Sequence, residues 1–135
     1  MTRNRLLILI GRNGLTSAMG KKEFTDALAG ENVVHITFVR SKNGKKRTIP
    51  VWFTVEEGRL QLLPMYGLNT KWYQDIEKSG KVELSVGNQK LDAAPQVIKD
   101  EAKLEHIKGV FARKYGIGDV RRYYPASDVA FEILL

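Results

Sequence analysis

The sequence predicts a mainly β fold of the α+β kind. About six antiparallel strands close into a small barrel, with a short helix after the third strand and a longer helix before the last. Three observations predict it. From residue 33 onward, β-branched and aromatic runs alternate with turn residues. Three of those runs follow one another through tight turns, the pattern of an antiparallel meander. Finally, a chain of 135 residues with that many strands hides its edges most economically by closing the sheet on itself.

Residues 1–30 read as an N-terminal extension, helical in part over 15–30, with Phe24, Ala27 and Leu28 on one side and Gly30 as the stop. Val33 to Arg40 is a strand. Asn43-Gly44 after it is a strong hairpin signal, and Arg47 to Val55 is the return strand. Pro50 cannot donate to a ladder, which places it at a sheet edge or a bulge. Glu56-Glu57-Gly58 turns the chain into a third strand, Arg59 to Pro64.

The period then changes. Asn69 or Thr70 caps a helix carrying Trp72, Tyr73 and Ile76, and Gly80 ends it. Val82 to Val86 alternates strictly, and Gly87-Asn88 turns it into Lys90 to Ala94. Asp100 caps the most regular helix of the chain. There Ala102, Leu104, Ile107, Val110 and Phe111 recur at helical spacing up to Gly116. Val129 to Leu134 is the last strand, and residues 1–135 read as one domain.

Composition narrows the function. Apolar residues make up 43% and charged residues 27%, ordinary for a globular protein. With no cysteine, disulfides, thiolate metal sites and cysteine nucleophiles are excluded. His35 and His106 have no metal-pair spacing, so no metal is expected. The apolar run Leu6 to Ile10 is shorter than a signal core of roughly 7–15 residues. No stretch reaches the roughly 20 apolar residues of a membrane span. A cytoplasmic protein without membrane insertion is the expectation. The net charge of +7, densest at Lys42, Lys45, Lys46 and Arg47, suits a polyanionic ligand.

Four runs carry a resemblance: Lys45-Lys46-Arg47-Thr48-Ile49-Pro50-Val51-Trp52-Phe53, Glu57-Gly58-Arg59, Met65-Tyr66-Gly67 and Lys71-Trp72-Tyr73-Gln74-Asp75-Ile76. In order and spacing they resemble the deazaflavin (F420)-dependent nitroreductase family. That family lies within the split β-barrel group of FMN-binding, pyridoxamine 5'-phosphate oxidase-like proteins. The resemblance spans roughly residues 33–134. The chain departs from it at Pro64 to Gly67, where a Ser- and Gly-rich loop is usual, at Lys71 for Pro, and at Asp75 for Asn.

The resemblance implies an F420- or FMN-dependent oxidoreductase that passes hydride to a quinone, nitro compound or similar small acceptor. It also implies a homodimer with the cofactor at the subunit boundary. The cofactor contacts it implies are Lys45, Lys46, Arg47, Thr48, Ile49, Pro50, Met65, Tyr66, Gly67, Lys71 and Trp72. Arg47 offers a guanidinium fork and Thr48 a hydroxyl to a phosphate. Gly67 permits close backbone approach, and Lys71 adds charge at a helix start. Arg121 or Arg122 would extend a basic groove for the acidic F420 tail. Tyr66, Tyr115 and Tyr124 are the candidate proton donors, with Tyr123 beside them. Redox chemistry of this kind is the cofactor's, so the chain needs no acid–base constellation of its own.

Two other readings fit the same residues. One is a flavin- or F420-binding protein without turnover. The other is a basic barrel binding single-stranded nucleic acid, with Trp52, Phe53 and Tyr66 stacking bases. The aromatics do not alternate with basic residues along one face, which speaks against nucleic acid.

Overall fold

The computed structural model describes residues 21–126 and 128–135. The start of the expected N-terminal helix, residues 15–20, lies outside the described residues. Helix α1, residues 21–28, buries Phe24 and Leu28. It ends at Gly30, whose φ of 80° is one that side-chain-bearing residues seldom adopt.

Among the described residues eight strands follow, arranged as two four-stranded antiparallel sheets instead of one closed six-stranded barrel. In the first sheet the order is β2 (Lys46–Val51), β1 (Val34–Val39), β5 (Val82–Val86), β6 (Gln89–Ala93). In the second it is β3 (Thr54–Glu56), β4 (Arg59–Leu62), β8 (Ala130–Leu134), β7 (Gln96–Ile98). The expected return strand breaks at Trp52-Phe53, and its two pieces serve different sheets. The short β7 adds a further strand. Pro50 lies on β2, an edge strand as its missing N–H requires. Asn43-Gly44 closes the β1–β2 hairpin, where Gly44 N–H and the Arg40 carbonyl are 2.8 Å apart.

Helix α2 (Lys71–Ser79) follows the third expected strand. It starts at Thr70 and ends on Gly80 with its N–H on the Ile76 carbonyl at 2.7 Å. Thr70 is the cap position, but its hydroxyl makes no cap bond; it accepts the Tyr66 N–H at 2.8 Å instead. Helix α3 (Glu101–Tyr115) is capped by Asp100, whose carboxylate accepts the Lys103 N–H at 3.0 Å. Leu104, Ile107 and Phe111 are buried along it, whereas Ala102 is exposed and Val110 only half-buried. A further short helix, α4 (Ile117–Tyr123), precedes the last strand.

The alternation of β1 and β5 places Val34, Ile36, Phe38, Val82, Leu84 and Val86 in one main core with Phe24, Leu60, Leu62, Ile76, Phe131 and Ile133. Strand β8 reads as nearly continuous burial because it is covered on both sides. Phe131 and Ile133 face the main core, and Ala130 joins a second cluster with Leu104, Ile107, Phe111, Val120 and Tyr124. Burying a Leu or Phe side chain contributes about 1.5–3 kcal/mol, so this second cluster is what holds α3 and α4 on the sheet. Glu132, also buried, is answered by Gln61 Nε2 at 3.1 Å and by Lys103 and Arg59 at 3.5 and 3.6 Å. No helix among the described residues is long and apolar enough to cross a membrane.

Candidate functional site

The break between β2 and β3 sets the site. Val51 belongs to the first sheet and Thr54 to the second, so Trp52 is left where the sheets part, beside the C-terminal end of α3 and α4. An apolar cleft of about 470 Å³ opens there, lined by Val33, Ile49, Pro50, Val51, Trp52, Leu63, Met65, Trp72, Tyr123 and Tyr124. A second recess of about 460 Å³ is lined by basic and polar groups, among them Arg40, Lys42, Arg47, Lys71, Ser41 and Thr70. Ile49, Met65 and Trp72 line both. The two spaces therefore meet along one side of β2.

Two loops shape the junction. The first, residues 64–70, carries Met65 and Tyr66. Gly67 N–H reaches the Pro64 carbonyl, Thr70 N–H reaches the Gly67 carbonyl, and Leu68 N–H reaches Asp128 Oδ1 at 3.0 Å. Gly67 is buried with φ of 58°, and a Cβ there would run into the Asp128 carboxylate. Its lack of a side chain lets the loop lie against that anchor.

The second is the β1–β2 turn. Asp75 on α2 accepts both the Ser41 hydroxyl at 2.7 Å and the Ser41 N–H at 3.1 Å. Partial burial opposes the charged form of Asp75. The two Ser41 bonds, with Lys71 and Arg40 nearby, outweigh it and hold the carboxyl below its usual range.

Arg40, Lys42, Arg47 and Lys71 thus converge on the recess. Among the described residues none of the four forms an ion pair. The recess is electropositive, and Asp75 is the carboxylate in its lining.

The expected site residues divide. Arg47, Ile49, Pro50, Met65, Tyr66, Lys71 and Trp72 line the cleft or the recess. Lys46 lines a different recess with Lys81, Glu83 and Asp92. Thr48 lines neither half, and its hydroxyl is engaged by Thr37 Oγ1 at 2.7 Å across the hairpin. Lys45 is exposed in the turn, its N–H on Asn43 Oδ1. Gly67 lines neither space and packs against Asp128. Arg121 lines a groove between α3 and α4.

The three tyrosines have different surroundings. Tyr66 is 62% exposed at the rim. The Tyr115 hydroxyl is taken up by backbone: it accepts the Phe53 N–H at 3.0 Å and lies 2.8 Å from the carbonyls of Phe53 and Asn32. Tyr124 is buried in the cleft wall, and that burial, followed by the proximity of Tyr115, pushes its phenol well above the usual tyrosine range.

Val33, Leu63, Phe38, Arg40 and Ser41 also line the two spaces, without a site signal of their own in the sequence. Trp52 stacks on Tyr115 with centroids 4.1 Å apart and planes at 4°. Phe53 is 1% exposed, so the base-stacking trio Trp52, Phe53 and Tyr66 is not assembled on one surface.

The family described as "Uncharacterized protein conserved in bacteria (DUF2255)" matches residues 25–129. The chain belongs to that family. No curated protein matches this DUF2255 chain. Among solved structures it is similar to an F420-H2 dependent reductase (FDR-A), at 21% identity and a TM-score of 0.59, over 76% of this chain and 94% of that one. A structure described as a domain-swapped dimer is 20% identical with a TM-score of 0.59, over 90% and 95% of the two chains. A FAD-binding protein from Mesorhizobium loti is 18% identical with a TM-score of 0.60, over 84% and 86%. At these identities the likeness is one of fold.

Proposed function

We propose that the chain binds a flavin-type cofactor, F420 or FMN, and acts as an oxidoreductase toward a small-molecule electron acceptor such as a quinone or nitro compound. One observation carries the reading. An apolar cleft and a recess lined by four cations, none of them in an ion pair among the described residues, meet at Ile49, Met65 and Trp72. A flavin-type cofactor has the same two parts, an apolar ring system and an anionic phosphate tail.

The chain's residues divide accordingly. Arg47 and Lys71 would hold phosphate oxygens, the guanidinium by paired N–H donors and the ammonium as a point charge. Ile49, Pro50, Met65 and Trp72 would clamp the ring and exclude water. The bound cofactor supplies the hydride chemistry. Trp52, Tyr123 and Tyr124 would shape the space for the acceptor, and Tyr124, protonated at neutral pH, can donate to it.

A homodimer accords with the exposed rim of the site. Met65, Tyr66 and Leu68 are 37, 62 and 41% exposed, an apolar edge that a second copy would cover. The similarity to F420-dependent and FAD-binding proteins of the same fold supports the cofactor class.

The test is turnover. Purified protein given reduced F420, or FMN with NADH, should oxidise it faster when menadione or a nitroaromatic is added. Cofactor binding without acceptor-dependent oxidation would leave the non-catalytic binding reading in its place.

A further inference from the structure

Helices α3 and α4 leave a groove of about 420 Å³ between them, lined by Glu105, Lys108, Gly109, Ala112, Ile117, Val120, Arg121, Tyr124 and Pro125. It shares no wall with the cleft except Tyr124. Three features of this groove stand out among the described residues. Gly109 sits inside a 15-residue helix, where glycine is disfavoured relative to alanine, yet the position of its missing Cβ is open space. Ile117 is 58% exposed, far more than its neighbour Val120 at 5%. Arg121 forms no ion pair among the described residues, whereas Lys108 is paired with Glu105 at 2.7 Å.

We propose that this groove is a second ligand site, taking a small amphipathic anion such as a medium-chain carboxylate, and that its occupancy reaches the cleft through Tyr124. The apolar tail would lie on Ala112, Ile117 and Val120 across Gly109, and the carboxylate would meet Arg121. Charge selects the class: with Glu105 and Lys108 cancelling, the lining is left with one free positive charge. Coupling follows from packing. Tyr124 is 8% exposed, touches both spaces and lies 6.0 Å from the Trp52 ring, so a ligand against one face shifts the wall of the other. The inference is independent of which cofactor the cleft takes.

The experiment is an amide and indole NMR titration of the whole protein with decanoate, and separately with decanol. Decanoate should shift Gly109, Ala112, Ile117 and Val120 amides, and the Trp52 indole with them. Gly109→Leu, at a position where an added Cβ meets nothing within 4 Å, should fill the groove and weaken binding about ten-fold or more. Ile117→Glu, a change at an exposed position, should do the same by repulsion, so the inference does not hang on one variant. Decanol binding as tightly as decanoate would overturn the anionic class. Shifts confined to cleft residues, or unchanged affinity in both variants, would overturn the site. So would a change of oligomeric state in Gly109→Leu, since the groove would then be covered by a second copy.

Discussion

Tyr115 lies face to face on Trp52 and binds the backbone of the next residue, accepting the Phe53 N–H at 3.0 Å. One side chain at the end of α3 thereby fixes the step where the chain leaves the first sheet for the second. Lys114 adds to the clamp with its Nζ 2.9 Å from the Phe53 carbonyl and 3.6 Å from the Phe53 ring centroid. Removing the hydroxyl alone, in Tyr115→Phe, keeps the stack but strands the Phe53 N–H. Such a loss costs about 1–3 kcal/mol. Urea denaturation should show a lower midpoint with an unchanged slope, and turnover of the folded variant should stay within a few-fold of the parent.

Tyr124 behaves differently because its phenol is raised by burial. A group with a raised folded pKa contributes stability that is complete below its unfolded value, near 10, and is lost as pH rises toward the folded one. The protein should therefore lose stability above about pH 10. Tyr124→Phe should flatten that alkaline limb in thermal melts taken across pH 8–11. If Tyr124 donates the proton to the acceptor, the same variant lowers kcat by about 10²–10⁴-fold.

Asp75 governs the acid side. Its carboxyl is held below the ordinary value of 3.8, so its contribution is present above that pH and is lost as pH falls through the lower folded value. Amide exchange at Ser41 should accelerate as pH falls below about 4, beyond the intrinsic trend, in the parent protein. Asp75→Asn keeps an oxygen for Ser41 but carries no charge. Its exchange should lack that pH-dependent step.

On β2, neighbouring residues should differ sharply. Arg47→Ala and Lys71→Ala each remove a cation from the recess, and a hydrogen bond to a charged group contributes about 1.5–3 kcal/mol. Each should weaken cofactor affinity roughly ten- to a hundred-fold and reduce its salt dependence. Thr48→Val should change affinity little, because the Thr48 hydroxyl serves Thr37. Isothermal titration at two salt concentrations measures all three.

That contrast also marks what the sequence makes legible. Local signals with a single mechanism read through well: Asn43-Gly44 as the hairpin turn, Gly80 as a helix stop, Asp100 as a cap. The break at Trp52-Phe53 does not, since the residues from Val51 to Val55 all suit a strand and the change of sheet is held by Tyr115, far along the chain. Helix α4 is missed because Gly116 and Gly118 flank and interrupt a short segment. The candidate site is half legible. A basic run marks β2, but alternation turns Arg47 and Ile49 toward the recess and leaves Thr48 with Thr37. Val33, Leu63 and Asp75 join only through tertiary contact.

The most direct test of the central claim is fluorescence titration of the purified protein with F420 and, separately, with FMN. The two-part cleft predicts saturable binding of at least one of them, tight at micromolar protein, weakened by added salt and by Arg47→Ala. Absence of binding by either cofactor at micromolar levels would contradict the account.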